Sequence, residues 1–188
     1  NLTNTKTGQP LSIARKNMYM DFISSMINFE IQTTMILSTN PCQGLKLKDK
    51  RNKEDIRAAF DLDDLKKLFN NKNYRKNKKE NPAKFWIPLL ALFSGARLEE
   101  LCQLYSDQVT VKEGYPCLWI EQKHEEQSVK TSETRIIPIH PFILKQGFFD
   151  YYSKVKRGSH LWPMLNRVGD KYGHGMTRWF KAHKDRVG

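Results

Sequence analysis

Apolar residues follow three rhythms along this chain. The densest apolar run lies in the middle, where residues 85–93 (FWIPLLALF) carry almost no polar position. An α-helix apolar on nearly every side is one that is buried. Asn81-Pro82 signals a turn just ahead of the run, Ser94-Gly95 ends it, and Pro88 is expected in the first turn of a helix beginning near Phe85. A second helical pattern follows, with Leu98, Leu101 and Leu104 as its face and Arg97 at its head. Upstream, the spacing of Leu11, Ile13, Met18, Phe22, Ile23, Met26, Ile27 and Met35 predicts an amphipathic helix over residues 10–37. Its Met-rich face is read as core packing. Asp61 is a suitable N-cap for a short helix, DLDDLKKLFN, that buries Leu62, Leu65, Leu68 and Phe69.

After the central helices the period shortens to that of strands. Residues 108–111, 116–122 and 134–139 are short and β-rich, which predicts a small antiparallel sheet with Pro138 at an edge or strand end. Residues 123–132 would join its last two strands. Pro141 opens another helix, with Phe142, Ile143, Leu144, Phe148, Phe149 and Tyr152 as its apolar positions, and a final helix is expected around residues 176–186. The fold class is therefore α+β and mainly helical.

Charge adds what hydrophobicity cannot. The 188 residues include 32 Lys+Arg against 20 Asp+Glu, a net charge of +12 that favours polyanionic partners, nucleic acid first. The cations concentrate in a polar stretch, residues 70–84, read as a loop: Lys72, Arg75, Lys76, Lys78, Lys79 and Lys84 face one acid, Glu80. Tyr74 within it is placed to pack on a sugar or backbone. Residues 45–53 (LKLKDKRNK) form a basic connector. Three scattered cysteines without a CxxC pair read as reduced thiols, and the five histidines show no ligand-like pairing with them, so no metal or cofactor is implied. No apolar run reaches the roughly 18–20 residues that span a bilayer, and the chain is expected to be cytoplasmic.

Two motifs carry the chemistry: G-A-R-L-E-E-L at residues 95–101, directly after the apolar helix, and K-T-S-E-T-R-I-I-P-I at residues 130–139. With N-P-C-Q-G-L-K-L (residues 40–47) and R-A-A-F-D-L-D-D-L-K-K-L-F (residues 57–69), their order resembles the tyrosine recombinase, or phage integrase, family. The resemblance implies the end of a helical DNA core-binding domain at residues 1–44, a linker at 45–56, and the first part of a catalytic domain at 57–188. It implies site-specific DNA recombination through a 3′-phosphotyrosyl intermediate, on double-stranded DNA, by a homo-tetramer assembled on paired sites and associated with the nucleoid. Negative charge on the scissile phosphate then has to be met by fixed cations. By resemblance Arg97 clamps that phosphate, Glu100 orients the site, and Lys130 is the general acid for the departing 5′-oxygen. Lys72, Arg75, Lys76, Lys78, Lys79, Lys123, Arg135 and Arg178 are expected to contact DNA.

The family also requires a second arginine in an H-x-x-R motif and a later tyrosine nucleophile. The one H-x-x-R string, His183-Lys184-Asp185-Arg186, has Asp185 where the family has an apolar residue, and the seven tyrosines all precede the place of the nucleophile. The chain is thus expected to be a piece of a recombinase that binds DNA without cutting it. The competing reading is a non-catalytic DNA-binding protein that keeps the scaffold; a weaker third is an RNA-binding or structural protein.

Overall fold

A computed structural model describes residues 2–34, 36–51, 59–127 and 134–188. The chain divides into two compact units, Asn1–Ala59 and Phe60–Gly188.

In the first unit, helix α1 spans Ile13–Thr33. It is shorter than the pattern suggested, because Pro10 is held in a backbone bridge with Thr3 and Ser12 Oγ caps the helix by accepting from Arg15 N. At the other end the hydroxyls of Thr33 and Thr34 turn back onto the Phe29 and Glu30 carbonyls, competing with continuation of the helix. The returning chain covers the polar side of α1. Asn40 Nδ2 donates to Ser24 Oγ (2.8 Å) and Asn28 Oδ1 (2.7 Å), and the Asn17 amide exchanges two 2.8 Å bonds with the Leu47 backbone. No α1 side chain is buried, and Met26 and Phe22 are exposed. The expected core packing of the Met face fails at Met26, while Met18 is half-buried and Met35 lies outside the described residues; what folds back onto α1 bonds through polar groups to its polar side.

The second unit has a core. Helix α2, Leu62–Asn70, starts with a reciprocal capping box between Asp61 and Asp64. It buries Leu68, but Leu62, the first helical residue, points out and is 75% exposed, against expectation. The polar stretch that follows is not a loop. It forms two short helices, α3 (Lys72–Arg75) and α4 (Asn77–Glu80), because Asn71 Oδ1 caps the first and the Asn77 side chain bonds back to the Asn73 and Tyr74 carbonyls. Tyr74 is consequently enclosed, 1% exposed, with its hydroxyl donating to the Phe85 carbonyl at 2.5 Å. It is a core residue and not a DNA contact.

Helix α5, Pro82–Ser94, has Asn81 as N-cap and Pro82 in its first turn. Pro88 therefore lies mid-helix, not in the first turn, and cannot donate to the Lys84 carbonyl. The helix is buried from Phe85 to Leu90, while Leu92 and Phe93 in the last turn are exposed. Gly95, in the left-handed conformation (φ 63°), closes it. Helix α6, Leu98–Cys102, and a 3-10 turn, Ser106–Gln108, lead into the sheet. Strands β1 (Val109–Lys112), β2 (Tyr115–Ile120) and β3 (Arg135–Pro138) are antiparallel in that order, forming a small open sheet. Glu113 and Gly114, both at positive φ, make the β1–β2 turn. Pro138 sits on the β3 edge as its missing N–H requires.

The helix expected after Pro141 breaks in two at Gly147 (φ 83°), giving α7 (Pro141–Lys145) and α8 (Phe148–Tyr152). The last helix, α9, runs Gly173–Val187. Trp86, Ile87, Leu101, Leu118, Ile143 and Trp162 form the centre of the core. Residues 161–162 are tied to α6 and its exit: Trp162 Nε1 donates to the Leu101 carbonyl (2.6 Å), and Leu161 N to that of Leu104 (2.7 Å). The observed class is α+β, about half helical with a small open antiparallel sheet. Among the described residues no helix is long and apolar enough to cross a membrane.

Candidate anion-binding site

The tight exit from α5 fixes where Arg97 stands. Gly95 reverses the chain, Ser94 Oγ accepts from Ala96 N (3.1 Å), and Ala96 is buried, so Arg97 begins α6 from a backbone held on both sides. Three residues on, Glu100 faces back along the same side of the helix. Its side chain is 2% exposed, and its oxygens accept from Arg97 N (2.8 Å) and Arg97 Nη1 (3.0 Å). Arg135, at the start of β3 opposite Ile120, donates Nη2 to the same carboxylate.

One buried carboxylate therefore holds two guanidinium groups. Burial alone would raise the Glu100 pKa; hydrogen bonds from Arg135 and from the Arg97 backbone and side chain outweigh it and leave the group below its ordinary value. The Arg97 and Arg135 side chains are 49% and 36% exposed. Each guanidinium carries five N–H donors and spends only part of them on Glu100. The trio has a net charge of +1, with solvent-facing donors fixed from beneath by the carboxylate. Donors arranged this way can take an anion that accepts paired N–H groups, such as a phosphate.

The acid beside it serves structure. Glu99 caps α9, accepting from Tyr172 N (2.7 Å) and Gly173 N (2.8 Å). A Cβ on Gly173 would lie 2.7 Å from Glu99 Oε2, so a larger residue there would push the capping carboxylate aside. This cap is why α9 starts ahead of its expected beginning at 176.

The remaining candidates stand apart from the trio. Lys72 and Lys79 are exposed on α3 and α4, Arg75 donates to Asn70 Oδ1 (2.9 Å), and Lys76 pairs with Glu80 (3.4 Å). Lys78 lies over the Phe85 and Trp86 rings, 5.9 and 5.8 Å from their centroids, and is less free than a solvated lysine. Lys123 pairs with Asp107 (2.9 Å), and Arg178 is exposed on α9. Among the described residues none of these cations bonds to the Arg97–Glu100–Arg135 group. Lys130 lies outside the described residues. His183 of the H-x-x-R string is 3% exposed, stacks on Trp179, and has Nε2 2.9 Å from the Leu68 carbonyl. It is a core histidine.

A second polar cluster has no sequence signal. Glu126 accepts hydrogen bonds from both the Tyr105 (3.1 Å) and Tyr172 (3.0 Å) hydroxyls, which hold its carboxyl below the usual range. His124 stacks on Tyr105 at 3.8 Å and approaches Asp107, and buried Gln127 donates to the Gln103 carbonyl and to Gln108 Oε1. Residues 121–127 are thereby fastened to the 3-10 turn and to the start of α9. Among the described residues no group of His, Cys, Asp and Glu is arranged to hold a metal ion.

No family model, curated protein or solved structure matches the chain.

Proposed function

We propose that this chain is the DNA-phosphate-binding part of a tyrosine-recombinase-type protein, with Arg97 and Arg135 gripping a phosphodiester and Glu100 holding both in place. The observation that carries this reading is one buried carboxylate organising two half-exposed guanidiniums at the end of a buried helix. Preorganised cations of this kind stabilise the charge that builds on a phosphate during transfer. The surplus of positive charge supplies the long-range attraction. In the parent activity the reaction is DNA strand cleavage and rejoining, with a tyrosine as nucleophile and assembly as a tetramer on paired sites.

Five of the seven tyrosines of this chain have hydroxyls committed to other acceptors, while Tyr19 and Tyr115 are exposed. A nucleophilic tyrosine must lose its proton, yet Tyr74, Tyr151 and Tyr152 donate to the backbone carbonyls of Phe85, Leu161 and Val109. Tyr105 and Tyr172 both donate to Glu126. Burial pushes Tyr151 up to about 12; burial and the Glu126 carboxylate push Tyr172 up to about 12. With these five engaged, the reading assigned to residues 1–188 is DNA binding without strand cleavage.

The test is duplex binding followed by fluorescence anisotropy across a salt series. Arg97→Ala and Arg135→Ala should each weaken binding and flatten the slope of log affinity against log salt by about 0.9 for each phosphate that is no longer neutralised. Unchanged slopes in both variants would reject the site. A covalent adduct on a nicked suicide duplex would reject the absence of cleavage.

A further inference from the structure

Helix α1 turns its bonded side inward, flanked by half-buried Ile13, Met20, Ile27 and Ile31, and leaves an apolar stripe on its outward side. Asn17, Asp21, Ser24 and Asn28 recur every three or four residues, and all four are met by the returning chain: Leu47, Lys46 and Asn40 supply the partners. Tyr19, Phe22, Ile23, Met26 and Phe29 lie about half a turn away around the helix, and all are exposed, Phe22 by 62% and Met26 by 73%. An apolar stripe of this length facing water marks a surface that binds.

The stripe reads nearly the same in both directions. Tyr19, Phe22, Met26 and Phe29 are spaced three, four and three residues apart, the seam of a two-stranded coiled coil. Two copies set antiparallel about an axis through the stripe, level with residue 24 along the helix, would lay Tyr19 on Phe29 and Phe22 on Met26. The helix charges agree with that arrangement. Arg15 and Lys16 stand at one end and Glu30 at the other, so antiparallel pairing brings opposite charges together and parallel pairing stacks like on like. A membrane surface fits worse: the polar side carries asparagines, a serine and the Asp21–Lys46 pair, without the lysine and arginine excess that draws a helix to anionic lipid.

We infer that α1 pairs with α1 of a second copy, antiparallel and two-fold symmetric, through the Tyr19–Phe29 stripe. The contact is self-complementary, as a two-fold interface must be. It is independent of the anion site and forms without DNA.

Sedimentation equilibrium of the 188-residue chain in the absence of nucleic acid tests this directly. The chain should be dimeric in the micromolar range, and Phe22→Asp or Met26→Asp should raise the dissociation constant at least tenfold while leaving the far-ultraviolet spectrum unchanged. Glu30→Lys should weaken the dimer, and adding Arg15→Glu and Lys16→Glu in the same chain should restore it. In a Cys42→Ser background, mixing Tyr19→Cys with Phe29→Cys chains should give a mixed disulfide more readily than Tyr19→Cys chains alone. A monomer at about 100 µM, a dimer untouched by Phe22→Asp, failure of the charge reversal to rescue, or a preference for disulfides between two Tyr19→Cys chains would each overturn the inference. So would partition of the stripe onto neutral lipid vesicles in place of dimer formation.

Discussion

The two units spend similar kinds of residues to opposite effect. In residues 60–188 the side chains of Trp86, Ile87, Leu101 and Trp162 are fully enclosed, and even polar Glu100, Gln127 and His183 are drawn inside with their bonds satisfied. In residues 1–59 a helix of 21 residues carries apolar side chains at regular spacing and buries none of them. Hydrophobic content does not separate the two. The separation comes from what folds back: in the larger unit the returning elements bring their own apolar faces, whereas in the smaller one Asn40, Lys46 and the Leu47 backbone bring polar groups.

The largest effect should therefore come from the core of the larger unit. Leu101 is completely buried, and the carbonyl of the same residue accepts the Trp162 indole. Leu101→Ala should cost about 2–5 kcal/mol, the range for deleting buried methyl groups and leaving a cavity. Urea unfolding measures it as a fall in midpoint at unchanged slope. A destabilisation below about 1 kcal/mol would mean that this core is no better packed than the surface of α1, and the contrast would collapse.

Much of the larger unit was legible in the sequence, and the failures share a cause. Strand period, Pro138 and the Asp61 cap placed the sheet edge and α2 because they act within a few residues. Arg97 and Glu100, three apart on a helix, could be paired by spacing alone. Arg135 reaches the same carboxylate across 35 residues of sequence, through the closing of β3 onto α6, and no local pattern announces that. Residues 70–84 read as a loop because their composition is polar, but Asn71 and Asn77 supplied caps that folded them and buried Tyr74. For α1 the period was right and the partner was wrong: periodicity reports a face, not what covers it.

An intermediate effect should come from the buried charge. Glu100→Gln keeps the shape but leaves two guanidiniums on a neutral amide, at a cost of about 1–3 kcal/mol at neutral pH. That is below the full cost of breaking a buried pair because both arginines reach solvent. The pH dependence has a definite sign. Glu100 titrates lower in the folded protein than in the unfolded chain, so its contribution is present above the ordinary glutamate range and is lost as pH falls through the folded value. The wild-type and Glu100→Gln stability curves should therefore differ at pH 7 and converge under acid. Curves that run parallel through that fall would show that the carboxylate does not hold the arginines by charge.

The smallest effect belongs to α1, and its smallness is the sharpest measure of the difference between the units. Met26 has little packing within its own chain to lose, being 73% exposed. At protein concentrations below the range of self-association, Met26→Ala should move the unfolding free energy by no more than about 0.5 kcal/mol, the usual scale for surface positions. The same substitution in the associated state removes an apolar side chain from a covered stripe, and a methionine deleted from a covered site costs far more. Thermal unfolding of wild type and Met26→Ala across a dilution series separates the two regimes. Coincident midpoints when dilute, diverging as concentration rises, would show that the helix acquires from a second copy the apolar cover that its own chain withholds. A constant gap of several kcal/mol at every concentration would show instead that Met26 is packed within a single chain.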